Sequence, residues 1–275
     1  MRVPVLTYHS NNIHGNACAD NDHVALAADL AELHALGWRV VPLQRVVESL
    51  LGTADASGLE RCVALSFDDG SWFDWHELEH PTWGPQRSMA RILREHRAAT
   101  GASVHATSFV IVSPEARAVL DRTCMVGRGW WTDDWWCEAV QEGLLAIESH
   151  SWDHNHETLP ATAQTDGRTG TFRSIDNWIV ADAELRQASD WLDARCAGQR
   201  TRLLAYPYGE ANDYLVREYL PRFGQQHRLQ AAFTTEPAPL TAASDRWRLP
   251  RYVCGRDWQA PEGLRRILRD CAPVA

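Results

Sequence analysis

Acidic and imidazole side chains follow several apolar segments of the chain, each at the point where the segment ends. Asp68 and Asp69 follow one β-prone run, and His150 follows a later one, with His154 four residues further on. Neutral imidazoles with one carboxylate form a typical open site for a catalytic divalent metal ion. Because Asp68 and Asp69 are adjacent, their side chains leave the strand end in different directions. One can bind the metal ion while the other accepts a proton from water.

Taken singly, each of these patterns has a simpler interpretation. Asp-Asp-Gly at residues 68–70 is typical of a tight turn, and spaced histidines often lie in a core. Their joint placement after different predicted strands favours a functional site. Further polar groups stand at such positions, namely His9 after the first strand, Tyr208 after a short later one and Arg251 after the last.

Short apolar runs alternate with helical patterns over the whole length. Strands are predicted at 3–8, 39–41, 62–67, 104–112, 144–149, 203–206, 229–233 and 247–249, and helices include 85–97 and a long one at 176–196. The alternation predicts an α/β fold with a parallel sheet covered by helices. At this size a closed or nearly closed (β/α) barrel fits, with an open doubly wound sheet as the alternative. In either fold the residues after the strands gather at one edge.

Composition excludes several classes of protein. The 275 residues include 27 basic residues, all of them arginine, against 36 acidic ones, which gives a net charge of −9. A catalytic Schiff-base lysine and a P-loop lysine are therefore excluded, and the charge argues against a nucleic-acid binder. The sequence contains no stretch of 18 apolar residues, so it predicts no transmembrane helix.

The seven cysteines are odd in number and show no paired short spacing. This argues against a disulfide framework and a four-cysteine zinc site. No signal peptide is visible at the N-terminus, so we expect a cytoplasmic protein. We predict one domain over residues 1–275, with inserted loops near 71–84 and 157–173.

Thirteen tryptophans are many for this length, and two clusters stand out. One lies at 130–136 and the other at 72–83, where it is interleaved with histidines and glutamates. Such mixtures suit a groove that stacks sugar rings, or equally an aromatic loop folded on itself.

With these residues in view, the sequence resembles the polysaccharide deacetylases, carbohydrate esterase family four, which share the NodB homology fold. Residues 66–70 (SFDDG) resemble the family's first motif, 150–154 (HSWDH) its second and 206–209 (YPYG) the core of its third. The opening at 4–9 (PVLTYH) is similar to the first strand of many members. The resemblance covers about residues 3 to 254.

The resemblance implies a distorted (β/α)7 barrel that binds one divalent metal ion. Zinc is the usual metal, with cobalt, nickel and manganese as alternatives. The metal ligands would be Asp69, His150 and His154. Asp68 would be the base that activates water for attack on an N-acetyl carbonyl, and the backbone N–H of Tyr208 would bind the oxyanion.

The chain departs from the family pattern in two places. Ala205 stands where many members carry an arginine that pairs with the base, as in a FAYPYG-like branch that acts on N-acetylglucosamine exopolysaccharides, which suggests a bacterial origin. Arg251 could orient Asp68 instead, or could form an ordinary surface ion pair. The late Leu-x-His motif with its acid histidine is not found. His9 is the first candidate to protonate the leaving amine, and His156 the second.

The substrate would be a carbohydrate or a small N-acylated compound, and the sequence does not predict an oligomeric state. The candidate substrate-contacting residues are Trp72, Trp75, Trp152, Pro207, Tyr208 and Leu249.

Residues 76–80 (HELEH) match the HExxH pattern of zinc proteases, which needs a continuing helix. Pro81 follows at once, and this argues against a protease. The leading hypothesis is a metal-dependent N-deacetylase. The alternatives are a hydrolase of small amides, imides or formamides in the same fold, and a carbohydrate-binding relative with weak or no catalysis.

Overall fold

The structure, a computed structural model, describes residues 1–164, 166–196 and 199–272. Its strands are β1 (Arg2–Val3), β2 (Val5–His9), β3 (Arg39–Val40), β4 (Cys62–Asp68), β5 (Leu78–His80), β6 (Gly84–Gln86), β7 (Ala106–Val110), β8 (Leu145–Ser149), β9 (Leu203–Ala205), β10 (Ala231–Phe233), β11 (Leu240–Thr241) and β12 (Tyr252–Val253). Seven of them form one parallel sheet in the order β10-β9-β8-β7-β4-β2-β12, and β3 pairs with the start of β4.

Helices lie between the strands in the sequence, as parallel connections require, and the last one follows β12. They are α1 (Asp22–Ala35), α2 (Leu43–Leu50), α3 (Met89–Thr100), α4 (Pro114–Thr123), α5 (Trp136–Glu142), α6 (Trp178–Ala181), α7 (Gln187–Arg195), α8 (Leu220–Arg222), α9 (Gly224–His227) and α10 (Pro261–Cys271). Within the described ranges, no helix combines the length and apolar character needed to span a membrane.

The sheet is buried on both faces, and β4 shows how its residues divide. Val63, Leu65 and Phe67 belong to the larger core, which includes apolar side chains of α1, α3 and α10. Ala64 belongs to a second core with Phe109 of β7 and with residues of α2 and β10. Since side chains alternate along a strand, residues 66 and 68 share the face of residue 64.

The sheet curls into a half-barrel and confirms the predicted fold class. In the described part of the chain, its edge strands β10 and β12 pair with β9 and β2 respectively and with no further strand. Between these two edge strands, the isolated bridge from Phe233 to Leu249 is the only strand-type contact among the described residues. Leu249 therefore does not belong to a continuous strand, and the prediction of a strand at 247–249 was wrong.

Two predicted helices differ from the structure. The helix predicted at 85–97 begins only at Met89, where the Ser88 hydroxyl accepts the N–H of Arg91, and Pro85 lies in β6. Pro85, where the predicted helix begins, belongs instead to the β5–β6 hairpin. The long helix predicted at 176–196 is divided by a π-helical segment, Asp182–Arg186.

The two predicted insertions differ in their local structure. Residues 71–84 form a 3₁₀ turn at Trp72–Asp74 followed by most of the β5–β6 hairpin. The described part of 157–173 holds no strand, and it reaches a 3₁₀ turn, Phe172–Ser174, at its end.

Candidate active site

The carboxyl end of β4 supplies two acidic side chains. Asp68 is the last residue of the strand and is buried, while Asp69 adopts a left-handed backbone with φ 74°. Gly70 follows with φ 68°, and a Cβ at this position would collide with Val110 of β7. A glycine is required here, so the Asp-Asp-Gly sequence is a tight turn and a source of site residues at the same time.

Arg251 lies in contact with Asp68, as one of the two sequence interpretations expected. Its two terminal nitrogens donate to the two carboxylate oxygens at 2.6 and 2.8 Å, and its Nε donates to the carbonyl of Thr234. Arg251 is fully buried, so this is not a surface ion pair. Burial alone would raise the pKa of Asp68, but the guanidinium outweighs it and lowers that pKa to about 2.

The side chains of Asp69, His150 and His154 come together. One oxygen of Asp69 lies 3.6 Å from Nε2 of His150 and 4.0 Å from Nε2 of His154. The three potential ligand atoms lie within 4.8 Å of one another. The other oxygen of Asp69 accepts a hydrogen bond from the Asn11 amide at 3.1 Å.

This donor set fits a divalent metal ion. Nδ1 of His150 donates to the carbonyl of Ala205 at 2.8 Å, which leaves Nε2 with a free lone pair on the side of Asp69. Burial, with the neighbouring His150, lowers the pKa of His154 well below its ordinary value, so His154 is neutral and can act as a ligand. Two imidazoles and one carboxylate are typical of zinc and of its first-row neighbours.

A cavity of about 320 Å³ opens above these groups. His9 and Tyr208 line it, and the rings of Tyr208 and His154 lie 4.5 Å apart. Tyr208 has a left-handed backbone, with φ 59°, in the 3₁₀ turn after β9, and a Cβ at the following Gly209 would collide with Thr235. His156 also lines the cavity, and its Nδ1 lies 3.0 Å from the Thr158 hydroxyl.

Most of the aromatic residues expected to contact substrate lie elsewhere. Trp75 is buried against Trp135, and its Nε1 donates to Glu138. Trp72 packs against the ring of His76 at 4.3 Å. These contacts agree with an aromatic cluster folded on itself rather than with an open groove.

Three other expected contact residues also fail to line the cavity. Trp152 packs against Trp191 on α7, although it stands between the two histidines of its motif. Pro207, in the 3₁₀ turn after β9, and Leu249 are both buried, and neither lines the cavity. Of the six residues expected, only Tyr208 lines the cavity.

The structure adds residues that sequence reasoning missed. Asn11 and Trp131 line the cavity, and the indole of Trp131 donates to the carbonyl of Asp69 at 3.0 Å. Asn11 follows β2 by two residues, so the strand-end rule could have found it. Trp131 lies in a long connection, where no local signal distinguishes it from its neighbours. The other additional lining residues are Ile111, Cys124, Gly209, Thr235, Val253 and Arg256.

The HExxH match at 76–80 does not form a protease site. His80 lies in β5, and the described chain has no α-helix between α2 and α3. The two histidines therefore lack the helical turn that the pattern requires.

The half-barrel sheet and the Asp-His-His group at its carboxyl edge define a NodB-type α/β fold. The family model for polysaccharide deacetylase matches residues 55–226, and the chain belongs to this family. None of the curated protein sequences compared with the chain matches it.

Solved structures with the same fold are distant in sequence. IcaB from Ammonifex degensii is 18% identical with a TM-score of 0.66, and the match covers 99% of this chain and 97% of that one. The deacetylase PplD of Streptococcus pyogenes, solved with acetate, is 18% identical with a TM-score of 0.63 and coverages of 98% and 98%. A de-N-acetylase of Aggregatibacter actinomycetemcomitans is 17% identical with a TM-score of 0.64 and coverages of 97% and 100%.

Proposed function

We propose that this chain is a metal-dependent hydrolase that removes N-acetyl groups from an amino-sugar glycan or glycoconjugate, with release of acetate and a free amine. The observation that carries the proposal is the convergence of Asp69, His150 and His154 at one cavity, beside the buried pair of Asp68 and Arg251. Family membership supports the substrate class. The proposal includes membership in the FAYPYG-like branch, which acts on N-acetylglucosamine exopolysaccharides.

Asp69, His150 and His154 would hold the metal ion, with zinc as the first candidate. A divalent ion bound there would polarise an acyl carbonyl and lower the pKa of water. Asp68 is ionised and would accept the proton from the attacking water, while Arg251 fixes both of its oxygens.

Two further groups of the chain would act on the acyl and amine parts of the substrate. The backbone N–H of Tyr208 would donate to the oxyanion that forms at the former carbonyl. His9 lines the same cavity and would donate a proton to the leaving nitrogen, with His156 as the second candidate. The cavity volume of about 320 Å³ suits a single sugar unit with its acyl group.

The test compares the purified wild type with Asp68→Asn, His150→Ala and the control His34→Ala, which changes an exposed histidine on α1. Metal content is measured together with acetate release from N-acetylglucosamine oligomers and from a nucleotide-linked N-acetyl sugar. We expect bound metal in the wild type and its loss in His150→Ala. Asp68→Asn should release acetate about 10²–10⁴-fold more slowly.

Other outcomes would contradict the proposal in distinct ways. Bound metal without acetate release from any sugar, but with opening of a cyclic imide, would indicate a small-amide hydrolase. Absence of metal from the wild type, with glycan binding retained, would indicate a carbohydrate-binding protein.

A further inference from the structure

The turn that carries both candidate histidine ligands has a strained backbone. Ser151, His154 and Asn155 all have positive φ, at 66°, 65° and 46°. Non-glycine residues in this region cost on the order of 1 kcal/mol or more each, and they persist only where surrounding contacts hold them. The position of the His154 side chain therefore depends on what holds residues 151–155.

Contacts within the turn account for part of this restraint. The Ser151 hydroxyl accepts the N–H of His154 at 3.0 Å, and Asp153 accepts the N–H of Asn155 at 2.8 Å. The Asn155 amide donates to the hydroxyl of Ser174 and to two backbone carbonyls of the following connection. These bonds shape the turn, and the N–H groups of Val112 and Ser113, just before α4, attach it from outside by donating to the carbonyls of Ser151 and Trp152.

Glu184 adds a second attachment, to the segment between α6 and α7. Its backbone carbonyl accepts the N–H of Trp152 at 2.9 Å, and its side chain accepts the N–H groups of Trp152 at 3.1 Å and of Asp153 at 3.4 Å. Glu184 lies in the π-helical segment Asp182–Arg186 between α6 and α7. A π-helical turn inserts one extra residue into a helix and changes the direction of the side chains around it.

The burial of Glu184 is costly for a carboxyl group. The side chain is fully buried, and the structure shows no ion pair to it among the described residues. Burial, together with the Asp153 carboxylate, raises the pKa of Glu184 well above its ordinary value. An apolar side chain would avoid the desolvation cost but would leave the N–H groups of Trp152 and Asp153 with fewer acceptors.

We propose that Glu184 is a positioning residue of the metal site, which binds the Trp152–Asp153 peptide from the π-helical segment and so holds His154 opposite His150 and Asp69. This inference rests on the proposed function, because it assumes that the two histidines bind a metal ion. Groups that orient metal ligands without touching the metal typically contribute 10–100-fold to metal affinity.

The test measures the affinity for Zn²⁺ by competition with a chromophoric chelator, in the wild type and in Glu184→Ala, Glu184→Met and Glu184→Gln. The alanine variant should bind Zn²⁺ about 10–100-fold more weakly. Methionine fills similar space without an oxygen and should weaken binding in the same way, which keeps the test decisive if the alanine variant does not fold. Glutamine retains an acceptor oxygen and should restore most of the affinity.

Asp182→Asn is the matched control. Asp182 lies in the same π-helical segment and is buried, but it pairs with Arg186 and Tyr219 and forms no hydrogen bond with the described residues 151–155. We expect its Zn²⁺ affinity to equal that of the wild type, even if the metal-free protein unfolds more easily.

The outcomes separate the positioning role from the proposed function. Unchanged Zn²⁺ affinity in both Glu184→Ala and Glu184→Met, with reduced stability of the metal-free protein, would show a merely structural role. The same conclusion would follow if Asp182→Asn lost as much affinity as the Glu184 variants. A wild type that binds Zn²⁺ but releases no acetate contradicts the deacetylase function alone, and a wild type that binds no Zn²⁺ contradicts both.

Discussion

Two buried carboxylates, one at the cavity and one behind the sheet, are held in opposite ways. Asp68 ends β4, and both of its oxygens contact the guanidinium of Arg251. Asp29 lies on α1, where one oxygen accepts hydrogen bonds from the Tyr8 hydroxyl at 2.9 Å and from the Trp258 indole at 2.8 Å. The exposed fractions of the two residues are only 3% and 2%.

The difference lies in the charge of the partners. Burial raises the pKa of both groups, but Arg251 more than compensates for Asp68 and lowers its pKa to about 2. Asp29 has only neutral donors, and its pKa is raised to about 6. A buried carboxyl group remains fully ionised only where a cation is buried with it. The chain places that cation beside the group that the proposed chemistry needs in its charged form.

Of the variants that test this comparison, removal of Arg251 should change the free energy of unfolding the most. In Arg251→Met the Asp68 carboxylate is left buried without its cation, and we expect the free energy of unfolding to fall by about 3–5 kcal/mol at neutral pH. Urea denaturation of the metal-free protein measures this value.

Arg265→Met provides the matched control for Arg251→Met. Arg265 pairs with Glu32 through two nitrogens, but its side chain is 46% exposed. Its loss should cost about 1 kcal/mol or less. Equal costs for the two variants would show that burial of the Asp68–Arg251 pair has no special weight.

The next largest effect concerns the pH dependence of stability. The fold raises the pKa of Asp29, so its stabilising contribution is complete below pH 3.8 and is lost as the pH rises through about 6. The shift from 3.8 to about 6 corresponds to about 3 kcal/mol. In Asp29→Asn this loss disappears, because the amide oxygen accepts the same two hydrogen bonds without ionising.

Unfolding of wild type and Asp29→Asn should therefore be followed in urea from pH 4 to pH 8. We expect the stability of the variant relative to the wild type to rise over this range, while acetate release per folded molecule stays unchanged. A constant difference between the two proteins would contradict a raised pKa for Asp29.

The sequence predicted one of these two carboxylates and not the other. Asp68 stands at the end of an apolar run, where parallel strands bring chemical groups together, and Arg251 could be considered as its partner because it also follows a predicted strand. Asp29 lies in a helical pattern, where an acidic residue usually faces solvent. Its partner Trp258 is 229 residues away, and only the assembled fold brings them together.

The tryptophans show a second limit on what the sequence could predict. Their residue type indicated an aromatic surface, but Trp75 and Trp135 pack against each other in the core, whereas Trp131 reaches the cavity. Local spacing does not determine which face of an irregular connection meets the strand ends. The parallel sheet was predictable because strands alternate with helices along the chain. The gathering of acidic and imidazole groups at one edge followed from their positions after strands, whereas the choice of Asp69, His150 and His154 as ligands came from the resemblance to the family.

The smallest of the expected effects tests the neutral donors around Asp29. Tyr8→Phe removes the hydroxyl but retains the buried ring, which packs against Phe67 and Trp258. At pH 5 Asp29 is mostly protonated, and the lost hydrogen bond should cost about 1 kcal/mol. At pH 8 the acceptor is charged, so the cost should be larger, about 1.5–2 kcal/mol.

Because the Tyr8 hydroxyl lowers the pKa of Asp29, its removal also moves the pH-dependent loss of stability to higher pH. Equal costs at pH 5 and pH 8 in urea denaturation would mean that the Tyr8 hydroxyl does not distinguish the two forms of Asp29 and does not contribute to its pKa.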